Sequence, residues 1–196
     1  MPGFLARRRS HRAPWGAAAA LAWVGGGCGG DVGTVEVAWV VAGRDGEPIF
    51  PSGDLAPSAY DDTCDLPGYG PGMAEVTYAL RLSLQICDPG CGDCSDSACH
   101  VVPEAELPCD GVRYTDPDVP ASERPYLFRL RARIETETGS CVPSAGCVVV
   151  PGPISRKVRP GRVTDLQVVE ILLDVEGGAR PGSPASRLDL VACGCA

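Results

Sequence analysis

Residues 76–86 read VTYALRLSLQI, and this stretch decides the fold. Every second residue from Val76 to Ile86 is apolar or aromatic, whereas the positions between them include Thr77, Arg81 and Gln85. A period of two puts the apolar side chains on one face of a β-strand, and a helix would scatter them around its axis. The stretch therefore predicts a half-buried strand of an antiparallel sheet.

The same alternation recurs at residues 35–41, which read VEVAWVV, and at residues 126–134, which read YLFRLRARI. Shorter strands are predicted at residues 148–150, 154–158 and 163–175. In the last of these, the apolar parity slips around Val168 and Val169, which indicates a β-bulge. Several strands separated by turn residues, without an amphipathic helix, predict an all-β fold: a disulfide-stapled antiparallel β-sandwich.

The outward positions of these strands carry Arg81, Arg129, Arg131 and Arg133. We interpret them as polar residues of a solvated sheet face, interleaved with acidic residues of neighbouring strands. Trp39 alternates with inward valines and is therefore expected in the core.

Length and charge bound the function classes. A chain of 196 residues has room for one globular domain. Its formal net charge of −8 excludes a nucleic-acid binder of the usual kind, which carries a basic stripe that neutralises phosphates.

The N-terminus has the architecture of a signal peptide over residues 1–27. Four arginines, at positions 7, 8, 9 and 12, precede a mostly apolar run from Ala13 to Val24. That run has about a dozen residues, whereas a helix needs ~20 to span a bilayer. Cleavage would remove four of the 17 basic residues and none of the 25 acidic ones, which leaves a mature net charge of −12.

The segment Val24-Gly25-Gly26-Gly27-Cys28 resembles the lipobox of bacterial envelope lipoproteins. The resemblance implies cleavage before Cys28, diacylation of its thiol with palmitate-type chains, and a membrane partner reached through this lipid anchor at the outer membrane. One departure is Gly25, where the family prefers an aliphatic residue. The alternative is ordinary secretion, which leaves the protein secreted or periplasmic.

Ten further cysteines form an even set, and an exported chain uses such a set for disulfides, here five of them. The candidates are Cys64, Cys87, Cys91, Cys94, Cys99, Cys109, Cys141, Cys147, Cys193 and Cys195. Cys141 and Cys147 bracket a turn and are expected to form a local pair. Cys193 and Cys195 are too close together to bond to each other without strain, so each is expected to bond elsewhere.

The densest cluster runs from Cys87 to His100. A disulfide knot is the favoured interpretation, with zinc and a redox CxxC as alternatives. Calcium is a weaker alternative, with oxygen ligands from Asp88, Asp93 and Asp96 or from the acidic residues 110, 116 and 118. No resident cofactor or metal is predicted.

The predicted organisation places an anchor linker at residues 28–34 and the sandwich at 35–176, with a Cys-rich insertion at 87–109. Residues 177–196 read as a flexible linker followed by a tail that its cysteines attach to the body. At the level of pattern, residues 33–176 are similar to immunoglobulin-like or fibronectin-like domains of envelope lipoproteins.

We expect a non-enzymatic envelope lipoprotein that serves as a structural or interaction module, because one histidine remains after cleavage and no nucleophile elbow is present. The alternative is a secreted domain that holds calcium or a glycan in its acidic Cys-rich loops. The sequence does not identify a protein or glycan partner.

Overall fold

A computed structural model describes residues 31–49, 64–91, 94–109, 113–177 and 183–195. The signal segment and Cys28 lie outside the described residues, as do Asp93 and Asp110. The described part is all-β, and two mixed sheets face each other, which confirms the predicted β-sandwich. Its strands are β1 (Val32–Ala42), β2 (Asp65–Tyr69), β3 (Glu75–Cys87), β4 (Ala105–Leu107), β5 (Arg113–Pro120), β6 (Tyr126–Thr136), β7 (Gly139–Cys141), β8 (Val148–Val149), β9 (Ile154–Arg156), β10 (Val163–Leu173) and β11 (Leu188–Asp189).

The first sheet has the order β5-β1-β10-β8. Its central pair, β1 and β10, is parallel, whereas β5 and β8 are antiparallel edge strands. The sheet is therefore mixed rather than purely antiparallel. The reason is that the chain passes through the second sheet between β1 and β10, and a long crossover can return in the same direction.

The second sheet has the order β11-β2-β3-β6-β7, with β9 beside the start of β6. The edge of β3 is shared between two short strands. β2 pairs with residues 75–79 of β3, and β4 pairs with residues 82–84. The disulfide between Cys64 and Cys109 joins these two strands where they meet.

The apolar faces of the two sheets form the core. Val35, Val37, Trp39 and Val41 of β1 are buried, and so are the alternate residues of β3 and β6 that the sequence placed inward, except that Val76 is half-buried. The indole Nε1 of Trp39 donates to the carbonyl oxygen of Pro108 at 3.2 Å, so its burial leaves no unmet donor. The expected core position of Trp39 is confirmed.

The predicted bulge lies in β10. The pairing with β1 shifts between Glu36 and Ala38, and their partners on β10 are Asp165 and Val168. Gln167 has a φ of 68°, in the left-handed region, and its backbone N–H donates to the Asp165 carboxylate at 2.7 Å. The bulge turns Val168 outward, where it is 70% exposed, and returns Val169 to the core.

The C-terminal segment belongs to the sandwich. β11 adds a parallel strand beside β2, and Leu188, Leu190 and Cys193 are buried. In the predicted linker, Pro184–Ser186 form a short 3-10 helix and residues 178–182 lie outside the described residues. At the other terminus, β1 begins at Val32, three residues before the predicted start of the domain.

The sandwich has two ends, which we name by the direction of β1. At the proximal end, β1 and β10 begin, and the turn from Lys157 to Arg162 crosses between the sheets. At the distal end, β1 and β10 finish, and the β6–β7 turn meets the C-terminal segment.

Candidate functional site

The ten cysteines beyond Cys28 are all joined in disulfides. The pairs are Cys64–Cys109, Cys87–Cys94, Cys91–Cys99, Cys141–Cys195 and Cys147–Cys193. Five such bonds indicate an oxidising, extracytoplasmic environment. The joined sulfurs of the Cys-rich cluster are not free as thiolates, which is the form that binds zinc or performs thiol chemistry.

The prediction of a local Cys141–Cys147 pair is wrong. Cys141 ends an edge strand of the second sheet, whereas Cys147 directly precedes an edge strand of the first. The intervening turn therefore crosses from one sheet to the other, and it rests on the C-terminal segment, since the Ser144 N–H donates to the Cys193 carbonyl oxygen at 3.0 Å. Each cysteine bonds to that segment instead, and Cys193 and Cys195 bond elsewhere as expected.

The Cys-rich insertion is a closed loop at the proximal end. It leaves β3 at Cys87, closes on itself through two disulfides, and returns beside β3 at His100. Two of its acidic residues are used locally. Asp88 accepts from the Gly90 N–H at 2.7 Å and faces Arg124 at 3.3 Å.

Asp96 of the same loop caps the 3-10 helix Ser97–Cys99 by accepting from the Ala98 N–H at 2.9 Å. Among the residues that the structure describes, no group of three carboxylate, imidazole or thiol side chains is placed to hold a metal ion. Asp88 and Asp96 thus act as turn and cap residues in the described loop, and Asp93 lies outside it.

The outer face of the second sheet carries the predicted row of arginines, interleaved with acids. Arg81 forms an ion pair with Glu135 of the neighbouring strand, with 2.8 Å between Nε and Oε2. In the pairing of β3 with β6, Arg81 lies opposite Arg133 and Ser83 lies opposite Arg131. The ion pair therefore offsets the like charges that the pairing brings together.

Glu104 is the acidic residue on this face with a shifted pKa. Its carboxylate accepts from the Ser83 hydroxyl and, at 2.9 Å, from Nε2 of the buried Gln85. Burial alone would raise the pKa of Glu104, but these hydrogen bonds and the charge of Arg131 lower it below its ordinary value. Glu104 is therefore held as a carboxylate beside the part of β3 that pairs with β4.

A cleft of about 730 Å³ opens at the distal end. It lies between the start of β3, the β6–β7 turn and the C-terminal segment, and its lining includes Thr77, Thr138, Arg187 and Leu190. Hydroxyl, carboxylate and guanidinium groups thus share its walls with apolar side chains. Such a mixture is typical of sites for small polar ligands.

Arg187 is the charged residue that is most enclosed in this cleft. Its guanidinium donates to the hydroxyl of Tyr69 at 3.1 Å, forms an ion pair with Glu75, and lies 5.3 Å from the centre of the Tyr69 ring. The Nε atom is buried and donates to no described residue. The side chain is therefore held in place, and its unpaired Nε donor is enclosed by protein atoms rather than exposed in the cleft.

The sequence did not point to this cleft, because Arg187 lies in a segment predicted to be a tail. One signal could have found it: Leu188 and Leu190 alternate with Arg187 and Asp189, as in a half-buried strand. That alternation is too short to be distinctive by itself.

Comparison of the chain with protein-family models, with curated proteins and with solved structures finds no match. The similarity to immunoglobulin-like domains of envelope lipoproteins stays a prediction. Within the described residues, no helix has the length and apolar character needed to cross a bilayer.

Proposed function

We propose that this protein is a non-enzymatic lipoprotein of a bacterial cell envelope. In this proposal, Cys28 carries the lipid that attaches the chain to the outer membrane, and the disulfide-stapled sandwich serves as a structural or interaction module. The lipid would enter the bilayer, and the sandwich would remain in the aqueous compartment beside it.

The observation that carries the proposal is the state of the cysteines. The chain has 11 cysteines, and five disulfides use ten of them. Cys28 is left without a cysteine partner in its own chain, directly after a segment with the pattern of an export signal. A free thiol is a liability in an oxidising compartment, and acylation of Cys28 would remove it.

The surroundings of His100 support a non-enzymatic role. Its ring Nε2 lies 3.2 Å from the carbonyl oxygen of Cys94, inside the loop that two disulfides close. A general base must reach both a nucleophile and a substrate, and this placement ties the imidazole to the backbone instead.

The proposal is tested on the full chain expressed in a bacterial host. We expect intact-mass spectrometry of the membrane fraction to show a chain that begins at residue 28 and carries the added mass of acyl groups. The matched control, Cys28→Ser, should lose that mass and leave the detergent-extracted fraction, with the other ten cysteines still oxidised. An unmodified Cys28 in the mature wild-type chain would refute lipid anchoring.

A second candidate function is a binding domain for a glycan, and the distal cleft favours it. The guanidinium of Arg187, the hydroxyls of Thr77 and Thr138, and the apolar Leu190 line the cleft and offer the hydrogen bonds and contact surface that sugars use. In this candidate function the ligand would bind at the distal end, whereas the sequence analysis expected it in the acidic Cys-rich loops, which lie at the opposite end.

The glycan candidate is tested by calorimetric titration with a panel of neutral oligosaccharides. Arg187→Lys keeps the positive charge but removes the planar guanidinium that Tyr69 and Glu75 hold in place, so it should weaken binding, and thermal unfolding checks that the variant is folded. Arg44→Lys, on the surface beside Asp174 at the same end, is the matched control. Equal affinity of the Arg187→Lys and Arg44→Lys variants would argue against the cleft as the binding site.

A further inference from the structure

Four basic residues are grouped in one short segment at the proximal end. Arg156, Lys157, Arg159 and Arg162 are all exposed, and residues 150–164 contain no acidic residue. We call residues 156–162 the basic turn. The chain that remains after cleavage would have 13 basic residues against 25 acidic ones, so this grouping is opposite in sign to the molecule as a whole.

The charges of the basic turn are largely unneutralised. Arg156, Arg159 and Arg162 form no ion pair with a described residue, and Lys157 has one distant partner, Glu123, at 3.8 Å. The Glu123 side chain is fully exposed, so this pair is screened by water. The three arginine side chains are thus exposed without an ion pair to a described carboxylate, and the Arg156 guanidinium donates to the Ser155 carbonyl oxygen at 3.0 Å.

The basic turn is fixed to the beginning of β1. The Gly161 N–H donates to the Val32 carbonyl oxygen at 2.9 Å, and the Thr34 N–H donates to the Arg162 carbonyl oxygen at 2.9 Å. A side chain at Gly33 would collide with the Arg159 carbonyl oxygen, so the two segments are in close contact. The turn cannot move away from the N-terminal end of β1 without breaking these contacts.

The chain between Cys28 and this end is short. Asp31, the first described residue, follows Cys28 by three positions, so the connection spans at most about 11 Å when fully extended. The Ala121 N–H donates to the Asp31 carbonyl oxygen, which ties Asp31 to the same end. A lipid on Cys28 would therefore bring the proximal end to the headgroups of the membrane that it enters.

We propose that the basic turn docks on an anionic phospholipid surface, and that it orients the sandwich on the membrane in which Cys28 is anchored. This inference rests on the proposed lipid anchor. Phosphate groups of the lipids would accept from the guanidinium groups of Arg159 and Arg162. Val163 follows them directly and is 59% exposed, so it adds an apolar contact at the level of the headgroups.

The charge at the other end favours the same orientation. Several acidic residues are grouped near the distal end: Asp45, Glu47, Glu75, Glu137, Asp174 and Glu176. The proximal end also carries Asp31, Asp118 and Glu123, and the distal end also carries Arg44 and Arg187. The orientation therefore depends chiefly on the basic turn, which an anionic membrane attracts while it repels the distal acids. The net charge of −12 disfavours attraction of the whole protein, but attraction is decided locally because salt screens charges beyond ~8–10 Å.

The expected effect follows from the number of charges. One basic residue near an anionic surface changes the binding equilibrium by about fivefold, so two such residues change it by about 25-fold at low ionic strength. The variant Arg159→Gln/Arg162→Gln removes two charges from the basic turn. The matched control, Arg113→Gln/Arg133→Gln, removes two exposed arginines that lie away from the proximal end on β5 and β6.

The test measures transfer of the lipid-bearing full-length mature protein from donor to acceptor vesicles. Donors contain phosphatidylcholine alone or phosphatidylcholine mixed with phosphatidylglycerol. We expect the basic-turn variant to leave the mixed vesicles about 25-fold faster than the wild type, and the control variant to differ from it by less than about threefold. High salt, or donors of phosphatidylcholine alone, should remove the difference.

Two results would overturn the inference: equal transfer of the wild type from both kinds of vesicle, or equal acceleration in the two variants, which would reflect total charge alone. Failure of the proposed function is separate and shows as an unlipidated Cys28 in the mass spectrum. In that case the unlipidated chain is sedimented with the mixed vesicles at low salt. Loss of binding in the basic-turn variant alone would support docking, and absence of wild-type binding would refute it.

Discussion

The two disulfides that hold the C-terminal segment are predicted to act as a coupled pair. Cys141–Cys195 and Cys147–Cys193 enclose loops with sequence separations of 54 and 46 residues, and one loop lies inside the other. In the chain-entropy treatment, a single crosslink that closes either loop stabilises the fold by about 4 kcal/mol. Once one bond is present, the other closes only about eight residues of free chain and adds about 2.5 kcal/mol.

The perturbation is a double-mutant cycle with Cys141→Ala/Cys195→Ala, Cys147→Ala/Cys193→Ala and the variant that combines them. Each pair removed alone should lower the free energy of unfolding by about 2.5 kcal/mol, and removal of both should lower it by about 6.5 kcal/mol. The excess of about 1.5 kcal/mol arises because the last crosslink closes the long loop. Alanine is used because Cys147 and Cys193 are buried, and serine would bury a hydroxyl.

Urea unfolding of the oxidised proteins gives the free energies, and thiol counting in denaturant checks the pairing. Each single-pair variant should contain no free thiol, because the partner of every remaining cysteine is still present. Free energies that add without excess would refute the nested arrangement. Peptide mapping that recovers a Cys141–Cys147 bond in the wild type would refute the pairing itself.

Three further predictions concern single residues, each measured by equilibrium unfolding. Trp39→Phe removes the donor to the Pro108 carbonyl oxygen and should cost about 0.5–1.5 kcal/mol, the net value of one hydrogen bond, since Pro108 is exposed and water can take part of the donor's place; no loss would mean that water replaces the indole fully. Gln167→Gly should stabilise the protein by up to about 1 kcal/mol, because glycine adopts the left-handed conformation of the bulge without strain; destabilisation would contradict the bulge geometry. Glu104→Gln should lower the free energy of unfolding by about 1 kcal/mol or less at neutral pH. This difference should shrink as pH falls below 4.5, because the pKa of Glu104 is lowered in the folded state and the contribution of the carboxylate is lost on protonation. A pH-independent difference would exclude the carboxylate as its source.

The long strands could be predicted from the sequence because burial of one face leaves a period of two in the residues. This holds for β1, β3 and β6, and even the parity slip of β10 marked a real bulge. In these segments the local pattern and the tertiary environment agree, since the same alternate side chains that favour a strand also fill the core.

The short edge strands could not be predicted in this way. β5 contains two prolines and three charged residues, yet it pairs with β1, because an edge strand needs only one of its sides for hydrogen bonds. β2 contains the Pro67-Gly68 pair, which reads as a turn signal, and it too owes its position to a neighbour. The partners of Cys141 and Cys147 were predicted wrongly for a related reason, since each partner depends on which sheet the cysteine reaches.

The candidate sites likewise depend on contacts between segments that are distant in sequence. The basic residues at 156, 157, 159 and 162 fall within one short segment, but the place of that segment in the fold depends on hydrogen bonds to Val32 and Thr34, more than a hundred residues away. The distal cleft joins Thr77, Thr138 and Arg187 from three separate segments, and no local pattern links them. A sequence therefore indicates strands and cysteines well, and it indicates sites assembled across the fold poorly.

The positions of the disulfides explain how a glycine-rich and proline-rich chain supports this fold. β1 and β10 contain no cysteine, and they are held by core burial and a long ladder of hydrogen bonds. The bonds are placed instead beside the shortest elements: at the divided edge formed by β2 and β4, in the insertion after β3, and at the two-residue strand β11. Because such short elements bury little apolar surface, crosslinks supply the stability that their packing lacks.

The same crosslinks shape the cleft, since Cys195 lines it and its bond to Cys141 joins the C-terminal segment to β7. β7 is the strand that follows the β6–β7 turn of the cleft wall. An oxidising compartment is thus needed to form the cleft more than to form the core. The cleft lies at the distal end of the sandwich, which faces away from the proposed anchor.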